Sequence, residues 1–97
     1  YTIAIMPLSN KLNEKAKTVF DDVREDFDTI FDTTGSIGKR YRREDAIGTP
    51  FCVTYDFDSE NDSMVTIRER DSMKQERIKI SSIKSYVSSF LDSKKVK

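Results

Sequence analysis

Two clusters of cations and one flanked aromatic are the residues of this chain with chemistry to offer, and that chemistry is the recognition of anions and bases. Lys39, Arg40, Arg42 and Arg43 crowd five positions. Like charges packed this closely repel unless something anionic compensates. Glu44 and Asp45 come next, near the end of a helix where the dipole least favours acids. Arg68, Arg70, Arg77 and Lys79 make the second cluster, and Phe57 stands between Asp56 and Asp58. An aromatic ring beside cations is what single-stranded nucleic acid uses for base stacking. Each feature also has an ordinary counterpart: a solvated basic face, and a ring that closes the core under a turn.

The chain excludes several other chemistries. It has no histidine, which removes the commonest general base, the Ser–His and Cys–His dyads and the commonest metal ligand. Its one cysteine, Cys52, can form neither an internal disulfide nor a zinc cluster. Its place in Phe51-Cys52-Val53 predicts a buried, inert thiol. Gly35-Ser36-Ile37-Gly38 ahead of a helix looks like a phosphate-binding turn but lacks the spacing of a P-loop or a dinucleotide fingerprint. Acidic pairs are many, yet none is flanked by apolar residues that would raise a pKa for acid–base work. No catalytic residue, metal site or cofactor is therefore expected here.

Composition sets the scale. A chain of 97 residues is one domain, residues 1–97, with a modest core. Aromatic content of 10% argues against disorder even though 35% of residues are charged. The net charge of zero hides an uneven distribution. Residues 1–34 hold four Lys/Arg against seven Asp/Glu, a net of −3, and residues 63–97 hold nine against four, a net of +5. A basic surface is expected behind that neutrality. No apolar run approaches the roughly 20 residues that span a membrane. The lack of a disulfide or a secretory segment predicts a reducing, cytoplasmic setting. The start at Tyr1, directly in a strand-like run, reads as a fragment of a longer protein.

Several elements must position these residues. Tyr1 to Met6 is a short apolar strand closed by Pro7, and Ser9 or Asn10 can cap the next element. Leu12, Ala16, Val19, Phe20, Val23 and Phe27 recur at helical spacing over four turns. Thr29 to Thr34 reads as a second strand. The cation-rich helix comes next, capped by Ser36 and ended by Gly48 and Pro50, with Ile37, Tyr41 and Ile47 on its inner side. Phe51 to Phe57 is a nearly continuous β-former and reads as a central strand. After a polar turn at 58–63, Met64 to Arg70 and Gln75 to Ile80 alternate as two strands of a hairpin. Ile83, Tyr86, Val87, Phe90 and Leu91 mark a last helix, and the tail from Ser93 to Lys97 carries no packing signal. The order βαβαβββα, with right-handed crossovers, predicts a three-layer α/β fold. Its five-stranded mixed sheet has the order 2-1-3-4-5, strand 4 antiparallel, with three helices.

The hairpin fixes how the second cluster is displayed. If Ile67 faces Ile78 and Val65 faces Ile80, then Arg68 lies opposite Arg77 and Thr66 opposite Lys79. Arg68, Arg70, Arg77 and Lys79 then share one face. Like charges directly opposite destabilise a sheet, so a polyanion or nearby acids must compensate.

The same residues carry a family resemblance. Gly35-Ser36-Ile37-Gly38-Lys39-Arg40-Tyr41, the tripeptide Asp56-Phe57-Asp58, and Arg68-Glu69-Arg70-Asp71-Ser72-Met73 occur in order. Together they resemble the C-terminal anticodon-binding domain of class II glycyl-tRNA synthetases of the eukaryotic and archaeal type. The similarity runs from about Ile3 to Leu91 and implies the same sheet. It implies that Phe57 and Arg70 contact anticodon bases and that the basic residue after the glycine turn contributes. That residue is commonly arginine and is Lys39 here, which keeps the charge and loses the bidentate fork. Arg40, Arg68, Arg77 and Lys79 join the expected RNA surface, and Asp58 or Asp71 would accept from a cytosine amine while Arg70 donates. Phe57 and Arg70 are expected at opposite edges, about 20 Å apart at 3.3 Å per residue, so neighbouring nucleotides must splay to reach both.

The resemblance also implies what lies outside the chain. The catalytic motifs are missing, so ATP and magnesium would belong to the parent synthetase, a homodimer whose catalytic domain this domain serves. The partner would be the anticodon loop of glycine tRNA, in the cytoplasm or in a mitochondrial form. Two rivals are an anticodon domain of a prolyl-, threonyl- or histidyl-tRNA synthetase, and a protein-interaction module of the same fold.

Overall fold

The computed structural model describes residues 1–95, with side chains described through Asp92. The elements in order are β1 (Ile3–Pro7), α1 (Asn13–Val23), β2 (Thr29–Phe31), α2 (Ile37–Ile47), β3 (Phe51–Tyr55), α3 (Ser59–Asp62), β4 (Met64–Glu69), β5 (Gln75–Lys79) and α4 (Ile83–Lys95). The strands form one sheet in the order β2-β1-β3-β4-β5. β1 is parallel to β2 and β3, and β4 is antiparallel to both of its neighbours. This is the expected sheet. The polar turn after β3 holds one further helical turn, α3. The last two residues of the basic tail lie outside the described residues.

α1 and α4 cover one side of the sheet. Ile3, Ile5, Phe51, Val53, Val65 and Ile67 point there and meet Ala16, Val19 and Val23 of α1 and Ile83 and Val87 of α4. Phe90 packs edge-on to Phe51 with ring centroids 4.9 Å apart. α1 ends at Val23, a turn earlier than its apolar spacing suggests, yet Phe27 still packs on this core from the loop beyond.

α2 covers the other side, over a much smaller apolar cluster of Ala4, Met6 and Cys52, joined by Ile30, Ile37 and Tyr41. Its ends are set by its sequence. The Ser36 side chain accepts from the Lys39 amide at 3.3 Å. Gly48 takes a left-handed turn at φ +85°, where a side chain would strain the backbone. Ile37 and Tyr41 face the sheet as expected, but the rest of the inner face differs. Ile47 is 55% exposed, while Arg40 and Glu44 are buried.

The β4–β5 register also differs. Val65 faces Ile78, Thr66 faces Arg77 and Arg68 faces Gln75, a shift of two residues from the expected pairing. A shift of two keeps every side chain on its face but removes the Arg68–Arg77 repulsion. The cause lies in the turn. β4 stops at Glu69, whose amide donates to the Lys74 carbonyl at 2.9 Å. Its buried carboxylate accepts from the Asp71 and Ser72 amides. Capping by Glu69 lengthens the loop and takes Arg70 out of the β4–β5 pairing, while its amide still donates to the Pro50 carbonyl at 2.8 Å.

Candidate nucleic-acid interface

The register places Thr66, Arg68, Gln75 and Arg77 on the α2 side of the sheet, in line with Ala4, Met6, Cys52 and Thr54. α2 does not reach across to β5, so Gln75, Arg77 and Lys79 are exposed there. The result is a polar shelf beside α2, with candidate residues at both of its ends.

At the end where α2 finishes, Arg68 is buried. Its guanidinium makes a two-pronged contact with the Asp45 carboxylate, both distances 3.2 Å. It lies 5.1 Å from the centre of the Tyr41 ring, a cation–π contact. Arg70 donates to the Asp45 carbonyl at 3.1 Å and to the Asp71 carboxylate at 3.1 Å. These cations answer the charge problem in the sequence. They sit where the α2 dipole and its acids are negative, so each compensates the other. Arg70 keeps 42% of its side chain exposed and Asp71 62%. Arg68 faces inward, with its guanidinium committed to Asp45 and Tyr41.

At the opposite end, beyond β3, Phe57 is 50% exposed. Asp58 is exposed beside it, and Lys39 is exposed in the first turn of α2 at the same edge. Lys39 and Lys79 carry no ion pair among the described residues. Arg77 does: it contacts Asp56 at 2.9 Å and Asp62 at 3.0 Å. The burial of Asp56 works to raise its pKa, but Arg77 and Ser59 outweigh this and hold the carboxyl below its ordinary range. Nearby acids therefore compensate this cation, the alternative to a polyanion that the sequence left open.

Arg40 also has an internal role. Only 5% exposed, it donates to the carbonyls of Gly35 (3.1 Å), Pro7 (2.6 Å) and Asp32 (3.2 Å). It thereby ties the start of α2 to the ends of β1 and β2 and presents no guanidinium to solvent. Glu44, fully buried, accepts from the Thr49 hydroxyl at 2.9 Å. Its second oxygen has no donor among the described residues, only the neighbouring Asp32 carboxyl. Burial raises its pKa, and the neighbouring Asp32 carboxylate adds to the effect. This corrects the expectation that no acid here has a raised pKa, because only the tertiary structure turns this residue of α2 toward the sheet. Cys52 behaves as expected: burial, with Glu44 and Asp45 nearby, pushes its thiol up to about 12, which leaves it unreactive.

Residues 2–90 match the family described as "Anticodon binding domain". The chain belongs to the anticodon-binding domain family. Among curated relatives, the glycine–tRNA ligase of Lachnospira eligens is 60% identical over 84 residues, covering 87% of this chain and 18% of that protein. The glycine–tRNA ligase of Mycoplasma capricolum is 58% identical over 89 residues, covering 92% and 20%. The domain thus spans about a fifth of these relatives' length. Both are bacterial, so the eukaryotic and archaeal type suggested by the motifs is not supported. The RNA binding domain of threonyl-tRNA synthetase from Cryptosporidium parvum superposes with a TM-score of 0.81 at 25% identity, over 91% of this chain and 23% of that one. Histidyl-tRNA synthetase from Nostoc superposes at 0.88 with 16% identity, over 93% and 22%. That likeness concerns the fold.

Sequence reasoning gave Tyr41 and Asp45 no part in holding Arg68 and left Arg42 undistinguished within a cation run. Asp45 and Tyr41 hold Arg68 in place, and Arg42 is exposed on α2 without an ion pair among the described residues. Tyr41 and Asp45 lie four apart, hence on one side of a helix. That was the available signal for the pair.

Proposed function

We propose that this domain grips the anticodon loop of glycine tRNA and positions the tRNA for a glycine–tRNA ligase. The observation that carries the reading is one polar shelf with an exposed aromatic, Phe57, at one end and a half-exposed arginine, Arg70, at the other. Phe57 stacks on a base. Arg70 donates to a base edge from the end of α2, with Asp71 there and Asp58 beside Phe57 as acceptors for a cytosine amine. Lys39, Lys79 and Arg42 meet phosphates. The bases must splay, because the two ends are separated by the length of the strands. The identity to glycine–tRNA ligases supports glycine as the amino acid. The ligation itself, with ATP and magnesium, belongs to the rest of a homodimeric cytoplasmic parent, and this chain supplies binding and orientation alone.

The test is a titration of the protein with a stem-loop carrying a glycine anticodon, at low and at physiological salt. The slope of log K against log salt should be about −2, from about −0.7 for each of three phosphate contacts in a single strand. A loop with U in place of one anticodon C should bind more weakly. Affinity that ignores both salt and sequence would refute the reading. So would glycine-dependent ATP–pyrophosphate exchange by this chain alone, for its role as a binding part.

A further inference from the structure

We infer that Arg77 is a positioning residue for Phe57 and not a phosphate contact. The inference rests on the anticodon reading for its consequence and on local geometry for its substance. Phe57 and Asp58 stand at the start of a short loop, residues 56–62, that leads from β3 into β4. Asp56 fixes the first half of that loop. Its carboxylate accepts from the Ser59 amide and hydroxyl, both at 3.0 Å, and its own amide donates to the Ser59 hydroxyl at 3.1 Å. Asp62 fixes the second half by accepting from the Met64 amide at 2.9 Å.

A single guanidinium, reaching across from β5, holds both. Arg77 Nη1 and Nη2 donate to Asp56 at 2.9 and 3.3 Å. Nε and Nη2 donate to Asp62 at 3.2 and 3.0 Å. Both ends of the loop that carries Phe57 are thereby fastened to a neighbouring strand.

This fastening has two physical consequences. One positive charge against two carboxylates leaves that site net negative, so it offers little to a phosphate. A ring that is half exposed has little packing of its own to hold it. Fastening its loop beforehand removes part of the ordering cost that binding would otherwise carry. Lysine cannot substitute, because an ammonium lacks the planar fork that meets two carboxylates at once.

The experiment is a double-mutant cycle with a labelled glycine-anticodon stem-loop, joined to amide hydrogen exchange on the free protein. Phe57→Ala and Arg77→Ala should each weaken binding about tenfold, the scale of one stacked base. The double variant should be no weaker than the poorer single variant. The salt slope should stay constant, and Arg77→Lys should not restore affinity. Without RNA, Arg77→Ala should speed exchange at the Ser59 and Ser63 amides and leave those of β1 and β3 protected. Additive losses, near a hundredfold in the double variant, with a salt slope shallower by about 0.7, would make Arg77 a phosphate contact. The inference would then fall while the anticodon reading stood. If the unaltered protein binds no stem-loop, the anticodon reading falls by itself. The exchange arm then decides the fastening, and unchanged exchange in Arg77→Ala overturns it.

Discussion

The two sides of the sheet are built on different chemistry. Under α1 and α4 lies a continuous apolar core of branched aliphatics around Phe51. Under α2 only Ala4, Met6 and Cys52 form a buried apolar cluster. The rest of that side is held by polar links: Arg40 on three carbonyls, Glu44 on Thr49, Arg43 on Asp32, and Arg68 on Asp45. Apolar burial is non-directional and stabilises in proportion to area. Polar links are directional and fail sharply when one partner is lost. The first side thus supplies stability, and the second sets where charges and an aromatic ring stand at the edge of a shelf.

The comparison can be broken most forcefully on the apolar side. Phe51→Ala should cost about 3–5 kcal/mol of stability, read by denaturant unfolding, with no change in preference between a CC and a CU loop in the fraction that remains folded. A shift in preference would mean that the sides are not separate. On the polar side, Arg40→Ala should cost about 2–4 kcal/mol, because three carbonyls lose their donor in a buried place. A variant that melts like the parent would show that water replaces the guanidinium.

A smaller effect sharpens the functional half of the contrast. Arg70→Ala should leave the melting transition nearly intact and narrow the gap between CC and CU loops by about 1–3 kcal/mol. If both loops weaken alike, Arg70 contacts phosphate, and base reading moves to Asp71 or Lys39.

The smallest effect concerns Glu44 and pH. Its folded pKa is raised, by burial and then by Asp32. Its contribution is therefore complete below the unfolded value, about 4.3, and is lost as pH rises through the folded value. Asp32 runs the other way. Burial raises its pKa but Arg43 and its other partners lower it further, so its contribution is present above the unfolded value and lost as pH falls through the folded one. Glu44→Gln cannot ionise. Its melting temperature relative to the parent should rise from about pH 4 to about pH 8. A flat difference across that range would mean that Glu44 titrates as an exposed acid does.

Much of this was legible in the residues. Apolar periodicity marked α1 and α4, because a helix that buries one face must repeat that face every three or four residues. Continuous β-formers marked β1 and β3, which are buried on both sides. Ser36 and Gly48 bounded α2 through local backbone chemistry that needs no partner. Phe57 between two acids stood out as an odd place for a core ring, and it is exposed.

The sequence by itself therefore determined the five strands, their order in the sheet, the three long helices, and the segments that carry the charges. Tertiary structure alone decided which charges face outward. Arg40 and Arg42 look alike in the chain, two residues apart in one cation run. One is buried on the carbonyls of Pro7, Asp32 and Gly35 and the other is exposed. Glu69 gave no sign that it would cap the turn and shift the β4–β5 pairing, and Arg77 gave none that it would meet Asp56 and Asp62. The reason is range. Capping and periodicity act within a turn or two of chain, whereas an ion pair depends on where two distant segments come to rest. That is set by the packing of the whole sheet.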